Sequence, residues 1–175
     1  MKIDFNFQTP INICEYMVSL IPEGVVDVFE PTPGKGNLVE AIKCGGYNVE
    51  YPEGDFFLHV LKRFGAVLLN PPFSEKSAYI ENMPPEIDAK GMKIGYHILT
   101  ECMKYSDNVI ALMPWFTLSD SDVRMRFLKD FGLKSVTPLP RKTFDYARIQ
   151  TVVIVLQKGY KGHTEFVTDF FNVKS

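Results

Sequence analysis

Four consecutive residues, Asn70-Pro71-Pro72-Phe73, follow directly on the apolar run Ala66-Val67-Leu68-Leu69. Proline lacks a backbone donor and fixes φ, so two in succession end a strand. The residue before a proline is driven into extended geometry, which turns the Asn70 side chain and the adjoining carbonyls outward from the strand tip. The product is a stiff set of hydrogen-bond acceptors, the Asn70 amide oxygen and the Pro71 carbonyl, with the Phe73 ring alongside. Such a set matches a planar –NH2 group, offering acceptors for its two hydrogens and an aromatic face for the ring that carries it. The same tetrapeptide can also be a strand that ends in a proline turn with Phe73 in the core, so its chemistry depends on its surroundings.

A second cluster lies upstream. Val25-Val26-Asp27-Val28-Phe29 is a short apolar strand, and Glu30-Pro31-Thr32-Pro33-Gly34-Lys35-Gly36-Asn37 is an acidic residue followed by a glycine-containing turn. In open α/β sheets, ligands bind beyond the carboxyl ends of the strands, where the strand order reverses. Gly34 and Gly36 lack a Cβ, which permits positive φ and close approach of a ligand to the backbone. A tight strand-to-helix turn needs the same glycines. Lys35 is followed by Gly36 rather than Ser or Thr, and Leu38-Val39 continues into a helix, so neither a P-loop nor a full dinucleotide fingerprint is present.

The elements that must position these clusters follow from periodicity. Apolar residues Ile13, Met17, Val18 and Ile21 predict a helix over 11–21, with Thr9-Pro10 as its N-cap and first-turn pair. Strands are predicted over 25–29, 47–51, 66–69, 108–113, 134–139 and 151–157. Helices are predicted over 37–43 (closed by Gly45-Gly46), 56–64, 92–104 (Ile94, Ile98, Leu99 and Met103 inward) and 121–131. The last is capped by Ser119 or Ser121 and ended by Gly132. Residues 74–91 form a long connection of the kind that often binds or covers ligands. Alternating strands and helices predict an α/β fold built on a parallel sheet.

Bulk properties set limits. The 175 residues are 46% hydrophobic and 13% aromatic, enough for one domain, 1–175, with a full core. No apolar stretch is long enough to span a bilayer, and the start lacks the regions of a secretory signal. Cys14, Cys44 and Cys102 are odd in number and widely spaced, which argues against a disulfide framework or a zinc site. They read as small buried residues of a protein in a reducing cytoplasm. A net charge of −2 argues against strong unaided binding of duplex DNA, which needs a basic face. His59, His97 and His163 have no catalytic context; His59 reads as structural, and Trp115 as a core or rim aromatic.

In this setting Asn70-Pro71-Pro72-Phe73 resembles the (Asn/Asp/Ser)-Pro-Pro-(Tyr/Phe/Trp) motif of amino-group methyltransferases that use S-adenosyl-L-methionine (SAM). The small phage-type N6-adenine DNA methyltransferases are the nearest likeness. The resemblance implies a Rossmann-like SAM-dependent methyltransferase fold: a mostly parallel sheet, a C-terminal antiparallel hairpin, helices on both faces, and no separate target-recognition domain. It implies SAM as cofactor, no metal, and catalytic roles for Asn70, Pro71, Pro72 and Phe73. Thr9 and Pro10 look like the Thr-Pro element set against the methionine end of SAM. Glu30, Pro31, Gly34 and Gly36 are similar to the glycine-rich SAM motif, where an acid suits a cationic cofactor better than a diphosphate. Glu50 corresponds to the ribose-binding carboxylate, or else to a solvated loop charge along with Glu53. Asp55 corresponds to the acceptor of the adenine amine, and Phe56 packs on the adenine face or in the core. Glu50 and Asp55 stand so close that the family's usual intervening helix has no room. Phe144 resembles the aromatic that packs on a flipped base, opposite Phe73. Arg141, Lys142 and Arg148 form a basic patch at the active-site mouth or a solvated loop. The implied acceptor is nucleic acid, DNA ahead of RNA, with a specificity subunit or a second copy of the chain as partner and no membrane. Ribosomal RNA guanine-N2 and protein glutamine methyltransferases share the motif, and an inactive binding subunit could share the fold.

Overall fold

The computed structural model describes residues 8–59, 62–73, 93–144 and 149–171. The elements run α1 (Ile11–Ser19), β1 (Asp27–Phe29), α2 (Asn37–Cys44), β2 (Asn48–Glu50), a 3-10 turn (Phe56–Leu58), β3 (Ala66–Leu69), α3 (Lys93–Tyr105), β4 (Asn108–Pro114), α4 (Phe116–Ser119), α5 (Asp122–Phe131), β5 (Leu133–Pro138), β6 (Thr151–Gln157) and β7 (Glu165–Phe166). The strands form one seven-stranded sheet in the order β2-β1-β3-β4-β6-β5-β7. β2, β1, β3 and β4 are mutually parallel, whereas β6 runs antiparallel to both of its neighbours, β4 and β5. The expected antiparallel hairpin is thus β5–β6, with β6 inserted against the parallel half of the sheet.

Strand side chains alternate between two helical layers. Val67 and Leu69 of β3, Val109, Ala111 and Met113 of β4, and Val152, Ile154 and Leu156 of β6 pack with α3, α4 and α5. Ala66 and Leu68, Ile110 and Leu112, and Val153 and Val155 pack with α1 and α2 on the other face. Both faces of the central strands are covered, which explains their unbroken apolar sequences. Among the described residues no helix is long and apolar enough to cross a membrane.

Three expectations change. Of the helix predicted over 56–64, the described residues form the 3-10 turn at Phe56–Leu58, and His59 is extended. Phe56 and Phe64 both pack near Phe29, with ring centroids 6.5 and 4.7 Å from it. Pro10 occupies the N-cap of α1, and the Thr9 side chain does not cap the helix. Cys44 is exposed, while Cys14 and Cys102 are buried as expected. α4 and β7 had no sequence expectation; each is too short to show a period. Ser121 is the N-cap of α5, accepting a hydrogen bond from the Arg124 N–H.

Two leucines report this architecture. Leu68 is fully buried, and Leu58, inside the discarded helix, is 67% exposed. Leu68→Ala is expected to cost about 2–5 kcal/mol in denaturant titration, against roughly 0.5 kcal/mol or less for Leu58→Ala. Equal losses would contradict the exposure of Leu58.

Candidate functional site

From β1 the chain moves outward to β2, then returns to the other side of β1 as β3, so the strand order reverses between β1 and β3. Glu30 follows β1 and Asn70 follows β3, and both project at this reversal.

Glu30 is 1% exposed. Its Oε1 accepts the Thr32 backbone N–H at 2.8 Å and lies 3.2 Å from the Thr32 hydroxyl. Burial dominates these bonds and raises the carboxyl from 4.5 to about 8, so at neutral pH it holds its proton. The Thr32 hydroxyl also lies 3.1 Å from the Asn70 backbone carbonyl, joining the ends of β1 and β3. The Asn70 amide in turn donates to the Thr9 hydroxyl at 3.0 Å.

Thr9 is buried, and its carbonyl accepts the Asn37 amide at 3.0 Å, from the first residue of α2. Gln8 Oε1 accepts the Lys35 N–H at 2.8 Å. Gly34 (φ +54°) and Gly36 (φ +92°) hold left-handed backbone that favours glycine, and a Cβ at Gly34 would also displace the Gln8 amide. The 8–10 segment therefore lies against the glycine turn and is tied to the start of α2 and the end of β3. Sequence reading placed Thr9, Glu30, Gly34, Gly36 and Asn70 in the site. It missed Gln8, Thr32 and Asn37 as links between them, since a lone hydroxyl or amide in a turn carries no periodic signal.

Pro71 and Phe73 are buried and Pro72 half-buried. Behind the prolines stands Gly95 of α3, where a Cβ would lie 2.8 Å from the Pro72 carbonyl oxygen and 3.3 Å from Pro71 Cγ. The helix backbone thus fixes the position of the proline pair, a role that the sequence did not signal.

On the β2 side, the Glu30 N–H bonds the Glu50 carbonyl at 2.9 Å. The Glu50 carboxylate pairs with Lys62 at 2.5 Å and with His59 at 3.2 Å, and these partners, Lys62 first, hold its pKa below the usual value. His59 stacks on Phe29 with centroids 5.2 Å apart, a structural role as expected. Asp55 Oδ1 accepts the Phe57 N–H at 3.0 Å. Phe56 is 7% exposed and belongs to the core with Phe29, so the ring is packed in the core.

β5 runs parallel to β4, so its end delivers residues 139–144 to the same edge of the sheet as Asn70. Arg141 and Lys142 are exposed there. Phe144 is buried in the core layer of α1 and α2, and in this arrangement it offers no open stacking face. Trp115 is half-buried against the other layer and meets Phe166 edge-on. Arg148 and the 74–91 connection lie outside the described residues. Among the described residues no three His, Cys, Asp or Glu side chains are placed to hold a metal ion.

No family model matches the sequence, and no curated protein matches it. Solved structures do match. The type I restriction-modification methyltransferase subunit from Streptococcus thermophilus is similar over 88% of this chain and 45% of that chain, at 18% identity and TM-score 0.67. A Listeria monocytogenes protein assigned to the class I S-adenosylmethionine-dependent methyltransferases matches over 94% of this chain and 66% of that one, at 15% identity and TM-score 0.66. A 23S rRNA methyltransferase matches over 89% and 71%, at 13% identity and TM-score 0.55. The fold is the Rossmann-like one of SAM-dependent methyltransferases, and the chain spans less than half the length of the restriction-modification subunit.

Two measurements probe this geometry. Gly95→Ala gains helix propensity worth about 1 kcal/mol but intrudes on the proline pair, so its melting temperature is expected to fall; a rise would show that the loop yields freely. For Glu30, the folded-state pKa of about 8 exceeds the ordinary 4.5. Its contribution to stability is full below 4.5 and is lost as pH rises toward 8. The stability of wild type relative to Glu30→Gln should therefore fall across that window by at most about 1.4 kcal/mol per pH unit. A flat difference in urea titrations would show that Glu30 ionises normally.

Proposed function

We propose that this protein transfers a methyl group from SAM to the exocyclic amine of adenine in DNA. The observation that carries the reading is the hydrogen-bonded junction of Glu30, Thr32 and Asn70, where a buried acid beside a glycine turn adjoins the Asn-Pro-Pro-Phe acceptors at the reversal of strand order. The donor set fits a cationic cofactor. A buried carboxyl favours an approaching ammonium or sulfonium and opposes a diphosphate. Glu30, Gly34 and Gly36, with Thr9 and Pro10 beside them and Pro31 next in the turn, would hold the methionine end, and Glu50 and Asp55 the nucleoside end, with Phe56 packed in the core behind them. When bound, SAM supplies an electrophilic methyl group.

The protein's own part is positioning. An exocyclic amine is a poor nucleophile because its lone pair is delocalised into the ring. The Asn70 amide oxygen and the Pro71 carbonyl take its two hydrogens and favour a pyramidal nitrogen with its lone pair free. Pro72 stiffens the loop, and Phe73, buried in this arrangement, would stack on the base once its face is uncovered. This is transition-state stabilisation by fixed acceptors, and it calls for no strong general base. A base within a duplex must be flipped out to reach them.

Arg141, Lys142 and Arg148 would meet the phosphates at the sheet edge reached by residues 139–144, and a specificity subunit or second copy would supply target reading. The type I protein matched above is the methyltransferase subunit of a restriction-modification system. Ribosomal RNA and protein glutamine acceptors present the same planar amine and are the competing outcomes of one assay.

That assay is transfer of labelled methyl from SAM to unmethylated DNA, ribosomal RNA and protein extract. Label in DNA recovered as N6-methyladenine is the expected result; label confined to RNA or protein would reassign the acceptor. Absence of a SAM-induced thermal shift would leave only a binding role. Asn70→Ala should lower transfer at least about 100-fold. Its SAM affinity should fall no more than about tenfold, the worth of the bond to Thr9. Complete loss of SAM binding in calorimetry would contradict this division of roles.

A further inference from the structure

We propose that Thr32 is a positioning residue that relays the ionisation of Glu30 to the backbone carbonyl of Asn70, the first residue of the amine-binding tetrapeptide. The proposal deepens the methyltransferase reading and rests on it for the identity of the ligands. Thr32 Oγ1 lies 3.2 Å from Glu30 Oε1 and 3.1 Å from the Asn70 carbonyl oxygen. A hydroxyl carries one hydrogen and cannot donate it fully to both.

The choice depends on charge. A neutral carboxyl is an ordinary acceptor, and Oε1 already takes the Thr32 N–H. An ionised carboxylate is roughly twice as strong an acceptor, so ionisation draws the hydroxyl hydrogen from Asn70 to Glu30. The strand tip then loses a tether at the residue that begins the acceptor loop.

Burial keeps Glu30 protonated at neutral pH, so the relay starts in its neutral setting. The titratable groups that feel Glu30 from the packed helices are Cys14 on α1 and Cys102 on α3. Burial, then the Glu30 charge, pushes the Cys14 thiol up to about 12, and the same causes raise Cys102 further, so neither titrates with Glu30. A cation brought beside Glu30 favours its ionised form and moves the hydroxyl as alkali would. Cofactor occupancy and acceptor-loop geometry are thereby linked, and linkage is reciprocal.

The chain contains one Asn-Pro pair, Asn70-Pro71. Carbonyl-labelled asparagine with nitrogen-labelled proline therefore gives a single carbonyl–nitrogen correlation peak in the full-length protein. Its carbonyl shift is expected to titrate with a midpoint near 8 in wild type, to stay flat in Glu30→Gln and Thr32→Val, and to titrate again in Thr32→Ser. A flat wild-type peak overturns the relay. So does a Thr32→Val peak that titrates like wild type or, should that variant not fold, a Glu30→Gln peak that does so. SAM added to wild type below the midpoint should move the peak toward its alkaline position. A peak that follows pH but ignores SAM upholds the relay and counts against SAM as the ligand.

Discussion

A carboxyl group buried without a counter-charge is the constraint around which the working end of this sheet is organised. Isolated burial of an ionised carboxylate costs several kcal/mol or more. Glu30 avoids that cost by keeping its proton and by accepting the Thr32 backbone N–H. Such an arrangement is poor for stability alone, since an apolar residue would fill the space more cheaply. In the function proposed above, an arriving cation would supply the missing charge.

The rest of the scaffold holds that group in register with the acceptor loop. β1 and β3 are neighbours, and each is covered on both faces by helices. Their ends move little relative to one another because close-packed layers resist deformation. On this base, the 8–10 segment spans the glycine turn and the tip of β3, and Gly95 lets α3 stand against the proline pair. Small residues matter here for what they leave out: a methyl group at Gly34 or Gly95 would meet a neighbour at 2.8 Å.

The two sides of the site differ in how fully they are built. The region around Glu30, Thr32 and Asn70 is laced by hydrogen bonds, and Glu50 beyond it is already committed to Lys62 and His59. On the outer side, Arg141 and Lys142 are exposed at the sheet edge, and the chain covers less than half of the restriction-modification subunit it resembles in fold.

Much of this was legible in the residues. Long apolar strands, the glycine turn and the Asn-Pro-Pro-Phe tetrapeptide announce themselves through local rules: proline ends strands, glycine admits positive φ, and helical period exposes an inward face. Those rules located β3, α2, α3 and the ends of β1 and β3. Local rules failed where a residue's role is set by a distant partner. The aromatic run 56–64 looked helical until Phe29 drew Phe56 and Phe64 to itself. Thr9 looked like a helix cap until Asn70 claimed its hydroxyl, and Phe144 looked available until the core layer enclosed it. Thr32 and Gly95 gave no sign at all, because their importance lies in contacts across 38 and 23 residues of chain, which only the closing of the sheet and its helices brings together.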